Sequence, residues 1–156
     1  MKIIVFGATG GVGQFVVKQG LETGFEITAF VRTPAKLAIS HENLTVIQGD
    51  AFNQAEVTAA IAGQDAVVSC LGSSRGMKKS TELQEMTKNI VVGMQEQKVE
   101  RIVYTASAGV HNELTGISGK LVMMLLKNTL IDHRVAVEYI KSYKLKKTLT
   151  TKSEKN

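Results

Sequence analysis

Residues 2–13 read Lys2-Ile3-Ile4-Val5-Phe6-Gly7-Ala8-Thr9-Gly10-Gly11-Val12-Gly13. The apolar run up to Phe6, closed by Gly7, has the composition of a strand buried on both faces of a parallel sheet. A glycine-rich loop then leads into a helical pattern. Such a junction suits a dinucleotide, because glycine is wanted at the tight turn, where the backbone approaches a pyrophosphate, and where the helix packs on the strand. Phosphates at that place face the free N–H groups and the positive dipole end of the helix. The same glycines elsewhere would describe a plain strand–helix turn; their place at the first such junction of an alternating chain is what gives them meaning. Gly7, Thr9, Gly10, Gly11, Val12 and Gly13 are therefore the first candidate cofactor contacts.

The alternation continues outward from this loop. Residues 12–23 read as a helix with Phe15 and Val16 on its apolar side and Gly24 as its stop. Strands are expected over 26–31, 44–48, 65–70 and 101–106, and helices over 54–62 (ending at Gly63) and 81–97. Residues 118–143 are helical in pattern, with Asp132 as the candidate break point. Strands alternating with helices imply an α/β doubly wound parallel sheet with right-handed crossovers. No internal repeat or linker divides the chain. Its one compositional break lies near residue 141, separating a domain of residues 1–143 from a basic C-terminal strand or tail, 144–156.

The end of the second strand discriminates between nicotinamide cofactors. An acidic side chain there accepts from the ribose 2′-OH of NAD. This chain has Phe30-Val31-Arg32-Thr33-Pro34-Ala35-Lys36, with no acidic residue between Glu26 and His41. Arg32 offers a planar fork to a 2′-phosphate, Lys36 adds charge, and Thr33 lies between them. NADP, with NADPH favoured over NADH, is the cofactor this predicts. Asp50, followed by Ala51, is placed either to accept from an adenine amino group or to cap a turn. Leu71 and Gly72, after the fourth strand, are expected under the nicotinamide-side ribose. Cys70 reads as an inert packing residue at a strand end.

Charge and composition exclude several function classes. Residues 1–140 carry 13 basic and 13 acidic side chains, whereas 141–156 carry six lysines against Glu154 alone. The net charge of +5 is thus a property of the tail, and the body presents no basic face for nucleic acid. The single cysteine excludes an intrachain disulfide framework, and three scattered histidines (His41, His111, His133) make no metal site. The start of the chain is not a signal peptide, and the dense apolar stretch 121–126 falls far short of the roughly 20 residues a bilayer span needs. The expected setting is the cytoplasm, with a small-molecule partner, no membrane, and a monomer or homodimer.

Five segments carry a resemblance to a known family: Gly7–Gly13, residues 31–37 (VRTPAKL), 46–53 (VIQGDAFN), 87–109 (TKNIVVGMQEQKVERIVYTASAG) and 132–142 (DHRVAVEYIKS). In this order they resemble the atypical short-chain dehydrogenase/reductase superfamily, and within it the NAD(P)-binding proteins grouped with NmrA-like proteins, flavin reductases and biliverdin reductase B. The resemblance implies a Rossmann sheet of order 3-2-1-4-5-6, with the cofactor across the ends of strands one and four. Substrate then lies above the nicotinamide, near the loop after the fifth strand, with Ala106 and Ser107 at the end of that strand among the cofactor contacts. It also sets Ser107 at the family's serine position and Asn89 at its helix asparagine. Leu130 and Arg134 occupy the places of the tyrosine and lysine of Tyr-x-x-x-Lys, so that dyad is absent. Tyr143 and Lys147 fit the same spacing, but about three helical turns too late.

Without a positioned tyrosine, alcohol–ketone chemistry lacks its proton donor, and a sugar-nucleotide epimerase lacks what it needs. Hydride transfer to a flavin, quinone or similar conjugated acceptor asks for less, since the acceptor spreads the charge. Ser107, His111 or solvent then supplies the proton, and the protein supplies orientation. The alternative is a non-catalytic NADP(H)-binding, NmrA-like redox sensor. Met77-Lys78-Lys79 reads as a solvated basic loop, and residues 121–126 as a core helix. Where the family continues into a sixth strand and a substrate-covering segment, this chain has Lys144 to Lys152, keeping the register of Leu145, Thr148 and Leu149. The expectation is a short edge strand over 147–151, a disordered 153–156, and no substrate-covering segment.

Overall fold

Residues Ile3 to Phe6 stand at the centre of the molecule. The protein is described by a computed structural model over residues 1–72, 80–106, 127–142 and 146–151. Strand β1 (Lys2–Phe6) is flanked by β2 (Glu26–Val31) and β3 (Leu44–Gln48) on one side. On the other side lie β4 (Ala66–Ser69), β5 (Arg101–Ala106) and β6 (Lys146–Thr151). Every pairing is parallel, in the order β3-β2-β1-β4-β5-β6. This is the Rossmann-like doubly wound sheet that the alternation predicts. The chain winds outward from β1 to β3, then crosses back to β4, and that reversal opens a crevice between the loops after β1 and β4.

Helices α1 (Gly11–Glu22), α2 (Gln54–Ile61), α3 (Glu82–Glu96) and α4 (Lys127–Ser142) cover the sheet. Successive side chains of a strand point to opposite faces, and β1 shows the result. Ile3 and Val5 join one apolar cluster with Val17 and Leu21 of α1. Ile4 and Phe6 join the other, with Val57 and Ile61 of α2, Leu83 and Ile90 of α3, and Val137 and Ile140 of α4. Each such fully buried side chain stabilises the fold by roughly 1.5–3 kcal/mol relative to exposure. Among the described residues no helix is long and apolar enough to cross a membrane.

Three local features depart from the pattern in the sequence. Phe15 is 65% exposed, not on the apolar side of α1. The buried face of that helix runs through Gly13, Val17 and Leu21, and a residue two positions from Val17 lies about 200° around the axis; Val16 is half-buried. Helix α4 runs unbroken through Asp132. That carboxylate is fully buried, yet it is satisfied by another helix rather than by a break in its own. Finally, α3 ends without glycine. Lys98 takes the left-handed conformation (φ 58°), with its N–H bonded to Gln95 O and that of Val99 to Met94 O, at 3.2 and 2.8 Å. This is the helix stop that glycine usually serves.

Strand β6 forms one residue longer than expected, pairing Arg101 with Lys146 through Ala106 with Thr151. It is the edge of the sheet. Residues 153–156, 118–126 and the Met77-Lys78-Lys79 segment lie outside the described residues.

Candidate cofactor site

A cleft of about 510 Å³ opens at the carboxyl ends of β1, β2, β3 and β4. Its floor is the glycine loop, through Gly7, Thr9 and Gly10; one wall is Phe30, Val31, Arg32, Thr33 and Lys36. Gly49, Asp50, Ala51 and Phe52 form a second wall, Cys70, Leu71 and Gly72 a third, and Glu82 and Met86 reach in from the start of α3. Most residues proposed from the sequence to touch the cofactor are therefore neighbours in space. Phe30, Val31, Gly49, Phe52, Cys70, Glu82 and Met86 line it without being foreseen as cofactor contacts. The loop position of Phe52 was a usable signal; nothing in the local sequence places the first turn of α3 against the cleft.

Two glycines shape the floor. Gly7 has φ +78°, and a Cβ on it would stand 2.5 Å from the carbonyl oxygen of Cys70. The loop therefore runs hard against the end of β4, which only glycine permits. A Cβ on Gly13 would overlap the Gly7 carbonyl, so this residue sets how closely α1 approaches β1. The turn itself is held by Gly10 N–H to Gly7 O (3.1 Å) and by Gln14 Nε2 to Thr9 O (3.0 Å). Gly11, Val12 and Gly13 form the first turn of α1 behind the cleft wall.

Electrostatics distinguish this helix start from two others. Asn53 caps α2 by accepting from the N–H groups of Ala55 and Glu56. The N–H groups of Leu83 and Gln84 in α3 donate to Asp132, and its first turn carries Glu82 and Glu85. Helix α1 has no side-chain cap and no acidic residue in its first turn. The positive end of its dipole thus meets the cleft with no side-chain cap and no carboxylate in its own first turn. Arg32 and Lys36, both exposed, add two cations on the same cleft with no carboxylate partner among the described residues. A single 3₁₀ turn, Pro34–Lys36, with proline at its start, fixes the backbone that carries them.

Asp50 lines the cleft and also holds a turn, its Oδ1 accepting from Phe52 N–H at 3.1 Å. Cys70 is half-buried and takes part in both the cleft wall and the core around α1. Burial pushes its thiol up, while a hydrogen bond with Thr105 acts in the opposite sense; it is a poor nucleophile. Ala106 ends β5, buried, and does not line the cleft. Ser107 and His111 lie outside the described residues, as do Tyr143 and Lys144. Leu130, at the tyrosine position of the resemblance, is a core residue at 3% exposure, and Arg134 is exposed. No tyrosine lines the cleft among the described residues.

Beside the cleft lies a buried polar group that sequence reading missed. Asp132 Oδ2 and Oδ1 accept from Leu83 and Gln84 N–H at 3.2 and 3.1 Å. The next residue, His133, meets the Tyr104 hydroxyl of β5. Burial pushes the Tyr104 phenol well above its ordinary range and lowers His133, against a smaller upward pull from Asp132.

The sequence profile of a family described as NAD(P)H-binding matches residues 7–150. A 3-beta-hydroxysteroid dehydrogenase of Mycolicibacterium neoaurum is 34% identical over 120 residues, 70% of this chain and 32% of that protein. Quinone oxidoreductase 2 of Escherichia coli is 29% identical over 107 residues, 67% of this chain and 36% of that protein. The chain thus spans about a third of the length of these curated relatives. Among solved structures, a short-chain dehydrogenase/reductase of Veillonella parvula in complex with NADP superposes with a TM-score of 0.77 at 20% identity, covering 95% of this chain and 67% of that one. That likeness speaks to the fold.

Proposed function

The chain belongs to the NAD(P)H-binding family, and from that premise we propose that it is an oxidoreductase that binds NADPH in preference to NADH and reduces a flavin, quinone or similar conjugated acceptor. The observation that carries the reading is one cleft that joins a glycine floor, the uncapped start of α1 and the exposed cations Arg32 and Lys36. These residues fit a 2′-phosphorylated dinucleotide. Gly7, Thr9 and Gly10 leave room for a pyrophosphate to approach the backbone, and the α1 dipole favours its charge. Arg32 presents a two-pronged donor to the 2′-phosphate, and Lys36 a second positive charge. Asp50, Ala51 and Phe52 take the adenine side; Leu71 and Gly72 take the nicotinamide-side ribose. A reduced nicotinamide bound there supplies the hydride. The chain's part is to orient the reactants and exclude water, with Ser107 and His111 as the proposed proton donors after β5.

Support for an oxidoreductase comes from the family and from relatives that include a quinone oxidoreductase. A second reading, an NADP(H)-binding regulator without turnover, is favoured by the absence of a cleft-lining tyrosine among the described residues and by Leu130 in the core. NADPH and NADH titrations, followed by oxidation assays with FMN and a quinone, separate the two. Tighter binding of NADPH with turnover on either acceptor supports the reductase. Tight binding without turnover on any acceptor selects the regulator, and no binding of either nucleotide removes both. The reading places the protein in the cytoplasm, as a monomer or homodimer, which size-exclusion chromatography with light scattering distinguishes.

A further inference from the structure

We infer that Asn89 of α3 is the positioning residue for the adenine side of the cleft, holding residues 50–53 in the shape that receives the nucleotide. The inference rests on the cofactor reading above. Asn89 Nδ2 has two hydrogens to donate, and it lies 3.0 Å from both the Ala51 and the Phe52 carbonyl oxygens. Both residues line the cleft, Ala51 buried at 5% and Phe52 at 39% exposure. The backbone oxygen of Asn89 meanwhile accepts from Gln54 Nε2 at 3.2 Å, which ties the start of α2 to the same point of α3.

The other side of the loop is tied to α2. Glu56 Oε2 accepts from Asp50 N–H at 2.8 Å, and its Oε1 from Asn53 Nδ2 at 2.9 Å. Residues 50–53 thus hang between a carboxylate that takes their donors and an amide that fills their acceptors. The ties from Glu56 are local, whereas Asn89 reaches across 37 and 38 residues to another element. Its amide thereby ties the backbone of the loop directly to α3, whose Glu82 and Met86 form the adjoining cleft wall. The resemblance sets Asn89 at the family's helix asparagine, and here both its amide hydrogens are engaged by the loop.

The test compares Asn89→Ala, which removes both donors, Asn89→Asp, which turns them into acceptors facing two carbonyls, and Ile90→Val. The last trims a core residue of the same helix and leaves the Asn89 amide in place. Probes are NADPH, its adenine half 2′,5′-ADP, and its nicotinamide half NMN, measured by calorimetry, with hydrogen exchange at residues 50–53. Expected is a loss of about tenfold in affinity for NADPH and 2′,5′-ADP in Asn89→Ala, greater in Asn89→Asp, with faster exchange in the loop and binding of NMN unchanged. Ile90→Val should bind both adenine-bearing probes within about twofold of the parent. Unchanged affinity in Asn89→Ala, or an equal loss in Ile90→Val, overturns the inference while leaving the cofactor reading intact. A parent protein that binds neither NADPH nor 2′,5′-ADP removes the reading and the inference together. Should Asn89→Asp fail to fold, Asn89→Ala carries the same decision.

Discussion

The Tyr104 hydroxyl lies 3.0 Å from Nδ1 of His133, at a point where the two residues are 1% and 5% exposed. Burial disfavours the charged form of each, raising the phenol and lowering the imidazole. Burial thus favours the neutral form of each, and one hydrogen bond joins the hydroxyl to Nδ1, its direction set by the imidazole tautomer. The unfolded chain, with an ordinary histidine near 6.5, takes up its proton before the folded protein does. Stability therefore rises with pH through the window just below 6.5 and falls as the solution is acidified. Urea denaturation at a series of pH values between 5 and 7 should show that slope, flattened in His133→Gln. Tyr104→Phe, which orphans Nδ1, should cost about 1–2 kcal/mol at neutral pH.

Asp132→Ala leaves two N–H groups at the start of α3 without acceptors and should lower stability by about 2 kcal/mol. Asp132→Asn keeps one acceptor and loses the charge that faces the helix dipole, so its cost should be smaller. Chemical denaturation of the two variants gives the ranking. Equal loss in both would mean that the charge, and not the hydrogen bonds, does the capping.

Lys98→Gly should stabilise the protein. The residue already holds φ 58°, a conformation that costs a side-chain-bearing residue about 1 kcal/mol and glycine almost nothing. A rise in Tm of a few degrees, on the order of 2–4 °C for a chain of this size, is expected by differential scanning calorimetry.

Arg32→Ala should weaken NADPH by roughly tenfold or more and leave NADH nearly unchanged, because the guanidinium is proposed to serve the 2′-phosphate alone. Parallel titrations of the two nucleotides measure it. A variant that keeps its preference for NADPH would refute the phosphate fork, and attention would pass to Lys36.

Most of the fold was legible in the sequence because β1, β2 and β4 are buried on both faces and β5 alternates buried with half-buried positions. Ile3 to Phe6, Glu26 to Val31 and Arg101 to Ala106 need no partner to be recognised, and Gly7 marks the turn by its own chemistry. Phe15 misled because apolarity alone does not say which way a helix is turned; Val17 and Leu21, four residues apart, were the better guide. Asp132 reads as a break because polar residues inside a helix usually face water, and the burial of His133 beside it is equally hidden. Their partners, Leu83, Gln84 and Tyr104, are remote in sequence, and no local pattern announces them. The same holds for the site. Arg32 and Lys36 were readable from the strand that carries them, whereas Met86 and Glu82 reach the cleft only through the packing of α3.

The tie between Asp132 and Leu83 has a consequence for the order of assembly. Its partners are 49 residues apart, so α3 leaves the ribosome well before the group that caps it. Until α4 docks, the first turn of α3 has open N–H groups and little reason to stay wound. One wall of the cleft is therefore finished late, and a nascent chain halted before residue 132 would hold the glycine loop while its α3 side stayed frayed. Ligand binding during synthesis should report the arrival of that one carboxylate.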